Sequence, residues 1–125
     1  MTRATLLFMA ALLAFGVGLA HSVLGEKYIL IRLFRRAELP KLFGTTTFTA
    51  RTLRFAWHLT TIAWWGFGAM LVLASRGLLS TANALVVLGA TMAATSFMIL
   101  VASRGRHLAW PVFLIIAIVA LWTRV

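Results

Sequence analysis

The sequence predicts an all-α, polytopic membrane protein built as one domain over residues 1–125. Its expected form is an antiparallel bundle of four transmembrane helices, with a short amphipathic interfacial helix between helices one and two. Three observations carry this expectation. Apolar residues make up 62% of the 125 residues and the mean hydropathy is +1.00. Charged residues are 11% of the chain, against roughly a quarter in soluble domains, so there are too few polar groups to cover a water-facing surface. Four windows approach the ~20 mainly apolar residues that cross a hydrocarbon layer as a helix.

The first window covers residues 4–24 and follows Arg3. Its apolar run is too long for the core of a signal peptide, and no small-residue cleavage site precedes a soluble domain, so a retained helix is expected. Residues 25–54 form a long basic connection. Within it, residues 27–39 predict the amphipathic helix, with Ile29, Leu30, Leu33, Phe34 and Ala37 on one face and Arg32, Arg35 and Arg36 on the other. Such a helix suits the headgroup plane. Pro40 should end it, because the residue before a proline avoids helical geometry.

The second and third windows cover residues 55–74 and 84–102. Between them, Gly77 suits a helix end and Ser80 or Thr81 an N-cap. The fourth window, residues 108–123, is the shortest and follows a tight turn around Gly105. Pro111 falls in its first turn, where a missing N–H costs nothing. Short connections of this kind imply antiparallel neighbours.

The charge is distributed unevenly. Twelve Lys and Arg against two acids give a formal net charge of +10. Lys27, Arg32, Arg35, Arg36, Lys41, Arg51 and Arg54 fall in the first connection, and Arg104 and Arg106 in the third. Only Arg3, Arg76 and Arg124 fall on the opposite side. The positive-inside rule then places the long connection in the cytoplasm and both termini outside. Trp110 and Trp122 sit near the two ends of the fourth helix, as interfacial aromatics do. The expected partner of the cations is a bilayer with anionic headgroups. Nucleic acid is not expected, because its binders carry their charge on a folded polar surface. The chain has no cysteine, which excludes disulfides, thiolate nucleophiles and Cys-ligated metal.

Small residues recur along the helices: Ala10, Ala14, Gly18 and Ser22 in the first; Gly66, Gly68 and Ala69 in the second; Gly89, Ala90, Ala93, Ala94 and Ser96 in the third. In lipid such faces let helices approach closely. They imply packing within the chain, or within a homo-oligomer or larger membrane complex.

His21, Glu26, His58 and His107 all fall on the cytoplasmic side of the predicted membrane. Ionisable groups at that depth are costly and mark functional hypotheses. Three imidazoles and a carboxylate form a candidate site for a transition metal with an open position. Two imidazoles would serve a haem, and imidazole also exchanges protons near neutral pH. A plainer alternative has these groups bonding one another and lipid phosphates, with Glu26 paired to an arginine such as Arg54. Ser22, Arg54, Trp57, Thr61 and Trp65 are the candidate binding residues around them. Trp57, Trp64 and Trp65 suit either an interfacial belt or the wall of a lipid, quinone or sterol-like pocket.

The stretch AHSVLGEKYILIRLFRR followed by RTLRFAWHLTTIAWWGF resembles a group of small, uncharacterised four-helix inner-membrane proteins of bacteria, with an HSxLGE motif followed by an RFAWHLT-type second helix. The resemblance covers about residues 20–70. It points to His21, Ser22, Gly25, Glu26, Arg54, Trp57 and His58, and brings no activity with it. Glycine-rich signatures of four-helix fluoride channels are absent. Small multidrug transporters need an acidic residue inside helix one, and there is none before Glu26.

The expected function is a transport, permeation or accessory subunit with a polar His/Glu cluster. The alternatives are an intramembrane metal- or haem-binding redox protein and a lipid- or quinone-modifying enzyme. The enzyme reading has one acid/base pair and no nucleophile motif behind it.

Overall fold

A computed structural model describes residues 1–36 and 38–124. The described chain is all-helical, with helices α1 (Arg3–Leu33), α2 (Thr47–Ser75), α3 (Thr81–Ser103) and α4 (Ala109–Trp122). The first three are long and apolar enough to cross a membrane. Helix α4 is apolar but has 14 residues, which rise about 21 Å against a hydrocarbon core of ~30 Å.

Helix α1 starts at Thr2, whose hydroxyl accepts the Thr5 N–H at 3.2 Å. It continues without a break past its apolar run. Residues Gly25–Leu30 wind as a π-helix, in which the Ile31 N–H bonds the Glu26 carbonyl, and Ile31–Leu33 return to α geometry. The separate amphipathic helix expected at 27–39 is therefore corrected. Its first half prolongs α1, because nothing between Gly25 and Leu33 interrupts the backbone bonds. The helix ends at Leu33, well before Pro40, so proline does not terminate it. Ala37, assigned to the apolar face of that helix, lies outside the described residues.

A tight reversal follows. Leu42 and Thr45 exchange backbone bonds of 3.0 and 3.3 Å, and the two residues between them, Phe43 and Gly44, have φ of 56° and 80°. Paired positive φ is the geometry of a type I′ turn. The Thr49 hydroxyl donates to the Pro40 carbonyl at 2.8 Å and ties the segment down.

Helix α2 begins at Thr47, earlier than residue 55 expected from hydropathy. Residues 47–54 contain no helix breaker, and 29 residues rise about 43 Å, more than the ~30 Å of a hydrocarbon core. Gly77 ends this helix as expected. Its φ is 70°, its N–H bonds the Ala74 carbonyl, and the Leu78 N–H bonds the Leu73 carbonyl at 2.8 Å, a Schellman closure. Ser80 caps α3 through the Asn83 N–H at 3.1 Å. A second such closure ends α3, with Arg104 and Gly105 both at positive φ.

Each helix packs on its neighbour in sequence. Among the described residues, no Cα of α1 comes within 8 Å of α3 or α4, and none of α2 comes within that distance of α4. The bundle is thus an open row of three consecutive helix pairs. Small residues make these contacts close. A Cβ on Gly18 would stand 2.7 Å from Trp65 Nε1, one on Gly68 3.0 Å from Phe15, and one on Gly89 2.6 Å from Leu121. Large apolar side chains such as Leu13, Phe97 and Ile115 remain 60% or more exposed, a surface suited to lipid rather than water.

Candidate functional site: the polar seam between α1 and α2

Arg54, Trp57, His58, Thr61 and Trp65 recur at helical spacing along one side of α2, and His21, Ser22 and Glu26 answer them from α1. Helical periodicity brings residues three and four apart onto one face, so the antiparallel pair turns two separate motifs into one seam.

A chain of side chains crosses this seam. Arg54 Nη2 lies 3.1 Å from Glu26 Oε1. Glu26 Oε2 lies 3.4 Å from His58 Nε2. His58 Nδ1 lies 2.8 Å from Ser22 Oγ, which lies 2.7 Å from Thr61 Oγ1. The Thr61 hydroxyl, in a residue only 5% exposed, donates to the Gly18 carbonyl at 3.0 Å. Arg54 also lies over the Phe34 ring, 4.9 Å from its centroid. The π-turn carries Glu26, and such turns often mark functional positions.

The proton count along this chain is informative. The Gly18 carbonyl only accepts, so the one Thr61 hydroxyl proton is committed to it. The Ser22 hydroxyl must then donate to Thr61, and His58 must donate to Ser22 through Nδ1–H. The carboxylate at Nε2 calls for a second donor on the same ring. Every contact is satisfied when the ring carries two protons. With one proton on the ring, at Nε2, Ser22 turns its hydroxyl to Nδ1 and the Ser22–Thr61 and Thr61–Gly18 contacts share a single hydrogen; with that proton at Nδ1 instead, the Glu26 contact is the one left without a hydrogen.

His21 has different partners. Its ring stacks on Trp57 at 4.4 Å and 5°, and meets Trp64 edge-on at 5.0 Å. Its Nε2 lies 3.3 Å from the Trp57 carbonyl and 3.3 Å from Thr60 Oγ1. The Thr60 hydroxyl donates to that same carbonyl. Trp57 Nε1–H returns a bond to the His21 carbonyl at 3.1 Å. A carbonyl only accepts, so His21 Nε2 carries the proton. Beside the ring lies an open recess of about 440 Å3, with Gly25, Tyr28 and Trp64 in its wall. Gly25 is required at this point, because a Cβ there would collide with the Trp57 indole nitrogen.

His107 belongs to a third environment. Its ring lies 5.2 Å from Phe55 and 6.3 Å from Phe48, and its Nδ1 accepts the Ala109 N–H at 3.3 Å. The metal set of His21, Glu26, His58 and His107 is accordingly not assembled. Among the described residues no three His, Asp or Glu side chains come together in a way that could hold a metal ion. The physical reason is the open row: among the described residues α1 packs only on α2, whereas His107 lies in the turn before α4. The shared depth expected from the sequence did not become a shared position.

All five candidate binding residues contribute to the seam. Ser22, Arg54, Trp57 and Thr61 do so as described, and Trp65 Nε1–H donates to the Phe15 carbonyl at 3.1 Å. The Glu26–Arg54 pairing is observed. Sequence reasoning missed the π-turn, which has no sequence signature, and the part played by Thr60.

Ser22, His58 and Glu26 follow one another in the order of a nucleophile, a base and its orienting acid. The surroundings do not complete that chemistry. Ser22 lies inside a helix whose N–H groups are used internally, as the Gly25 N–H is on the His21 and Ser22 carbonyls. Amides held in this way are not free to serve an oxyanion.

No protein-family model matches the chain, and no curated protein or solved structure matches it either.

Proposed function

We propose that the chain is a four-pass inner-membrane protein that serves as a permeation or accessory subunit of a homo-oligomer or larger complex, in which the α1–α2 seam takes up and releases a proton. The supporting observation is the side-chain chain from Arg54 to the Gly18 carbonyl, whose contacts are all met when His58 is doubly protonated. Loss of the Nδ1 proton, with Nε2–H kept by the Glu26 carboxylate, reverses the Ser22 hydroxyl and loosens the Thr61 bond to α1. A change of charge is thereby coupled to the packing of the two helices. Because the helices form an open row, the described residues of a single chain enclose no continuous polar path, and the unpartnered flanks of the row favour assembly with further helices. The resemblance of residues 20–70 to small bacterial inner-membrane proteins agrees with this setting. The asymmetry of basic residues favours a cytoplasmic seam and external termini.

The test is proton flux into proteoliposomes after an acid jump, followed with a trapped pH dye. Wild-type protein and Arg76→Gln are expected to conduct, and His58→Ala and Ser22→Ala to fall to the level of protein-free vesicles. Equal flux in all four proteins would reject proton transfer through the seam. For an accessory role, native mass spectrometry should show a defined assembly, and a sole monomer in native membranes would reject that.

A second reading rests on the recess beside His21. With Nε2–H held by the Trp57 carbonyl, Nδ1 is left as an acceptor, which suits the hydroxyl of a quinol or sterol lying against the Trp64 and Tyr28 rings. Quenching of tryptophan fluorescence by a short-chain quinol, lost in His21→Ala, would support it. Quenching unchanged by that substitution would not.

A further inference from the structure

A second recess lies away from the α1–α2 seam, where the α2 N-terminus meets the turn between α3 and α4. Its volume is about 150 Å3, and Thr45, Thr47, Arg51, Ser103 and Arg106 line it. Four features of this recess point to one kind of ligand.

The first is uncompensated positive charge. Among the described residues the ion pairs are those of Glu26 with Arg54 and His58, and the cations over aromatic rings are Lys27, Arg32 and Arg54. Arg51 and Arg106 enter neither set. Arg51 and Arg106 both line this one small recess, and two like charges beside one recess favour an anion in it.

The second is the helix end. Thr46, at the N-cap of the 29-residue α2, makes no side-chain cap bond. The first-turn amides are left with their partial positive charge at the mouth of the recess, where Thr47 stands.

The third is a set of spare donors. Among the described residues the Thr45 and Thr47 hydroxyls have no protein partner. Ser103 is 3% exposed, and its oxygen accepts the His107 N–H at 3.3 Å while its own proton has no described acceptor.

The fourth is the rim. Leu42 and Phe43 border the recess and are 48% and 83% exposed, so an apolar surface lies directly beside a cationic one.

We infer that this recess binds a phosphate group. Arg51 and Arg106 hold its oxygens by paired N–H donors, as guanidinium does. The hydroxyls and the α2 amides complete the shell, as helix N-termini do for phosphate. The phosphate belongs either to an anionic phospholipid, whose acyl chains run along Leu42 and Phe43, or to a free phosphate ion.

The experiment uses the full chain in neutral detergent and in nanodiscs. One arm measures retention of phosphatidylglycerol against phosphatidylcholine by native mass spectrometry. The other titrates inorganic phosphate and follows the phosphorus resonance. Saturable, selective retention of phosphatidylglycerol is expected. It should weaken about tenfold in Arg106→Gln, the size of one charge-assisted bond, and further in the double variant with Arg51→Gln. Arg76→Gln, at the opposite end of α2, should bind as wild type. Saturable inorganic phosphate binding with the same arginine dependence, and no lipid preference, supports the site with a free ion as its source. Circular dichroism checks the fold. Arg106 lies exposed in a turn, so the single variant keeps the test valid if the double variant does not fold. Absence of saturable binding for both probes overturns the inference, as does equal weakening by Arg76→Gln.

Discussion

His21 and Trp57 hold each other through two reciprocal bonds and a parallel ring stack. The imidazole Nε2 faces the Trp57 carbonyl at 3.3 Å, the indole N–H donates to the His21 carbonyl at 3.1 Å, and the rings lie 4.4 Å apart. The pair joins α1 to α2 at the point where α1 passes into its π-turn, and it fixes the backbone that carries Ser22 and Glu26. Residues of the packing contact and of the candidate site are therefore neighbours along α1.

Gly25 is the position most sensitive to this arrangement. A methyl group there would collide with the Trp57 indole, and overpacking of this kind costs about 1–3 kcal/mol. Gly16 is the control, with nothing within 4 Å of its would-be Cβ. Gly16→Ala should be neutral or stabilise by roughly 0.5–1 kcal/mol, the helix-propensity difference. Reversible unfolding in mixed detergent micelles measures both. Equal effects at the two glycines would contradict the packing.

Thr61→Val removes the acceptor of Ser22 and the donor of the Gly18 carbonyl in one step. A loss of about 1 kcal/mol is expected, the range of an interhelical bond in lipid. The sharper readout is nitrogen NMR of the His58 ring. Without Thr61 to accept it, the Ser22 proton is free to turn to Nδ1, and the nitrogen resonances of the ring should move. An unchanged ring spectrum would contradict the proton count.

Glu26→Gln should affect stability little. The Arg54 and Glu26 side chains are 47% and 32% exposed, and ion pairs open to solvent contribute under about 1 kcal/mol. The same substitution removes the carboxylate that faces His58 Nε2, so the imidazole signals and proteoliposome flux should change. A large loss of stability with unchanged flux would show that Glu26 is a structural residue.

The topology is checked by reporter fusions. Fusions at Met1 and after Arg124 should report an external position, and one inserted at Gly44 a cytoplasmic position. An even number of crossings needs α4 to span despite its 14 residues, which local thinning of the bilayer or oligomer contacts would allow. Termini found on opposite sides would show that α4 does not cross.

Much of the architecture was legible in the residues. Hydropathy placed all four helices, Gly77 and Ser80 marked their boundaries through local backbone chemistry, and Gly18 announced a close contact. The candidate residues on α1 and α2 were legible because period and charge single them out. The helix limits near Gly25 and Thr47 were not. Hydropathy marks where lipid begins, and backbone hydrogen bonding continues past that point unless a breaker stops it.

The sequence by itself determined that the chain is helical, suited to lipid and basic at one end, since burial preference and helical period are properties of the residues alone. Only the tertiary structure decided which polar groups meet. His58 reached Ser22 and Glu26 because α1 packs on α2, and His107 found aromatic neighbours because the helices line up in a row. Depth in a membrane is one coordinate, and a site requires all three.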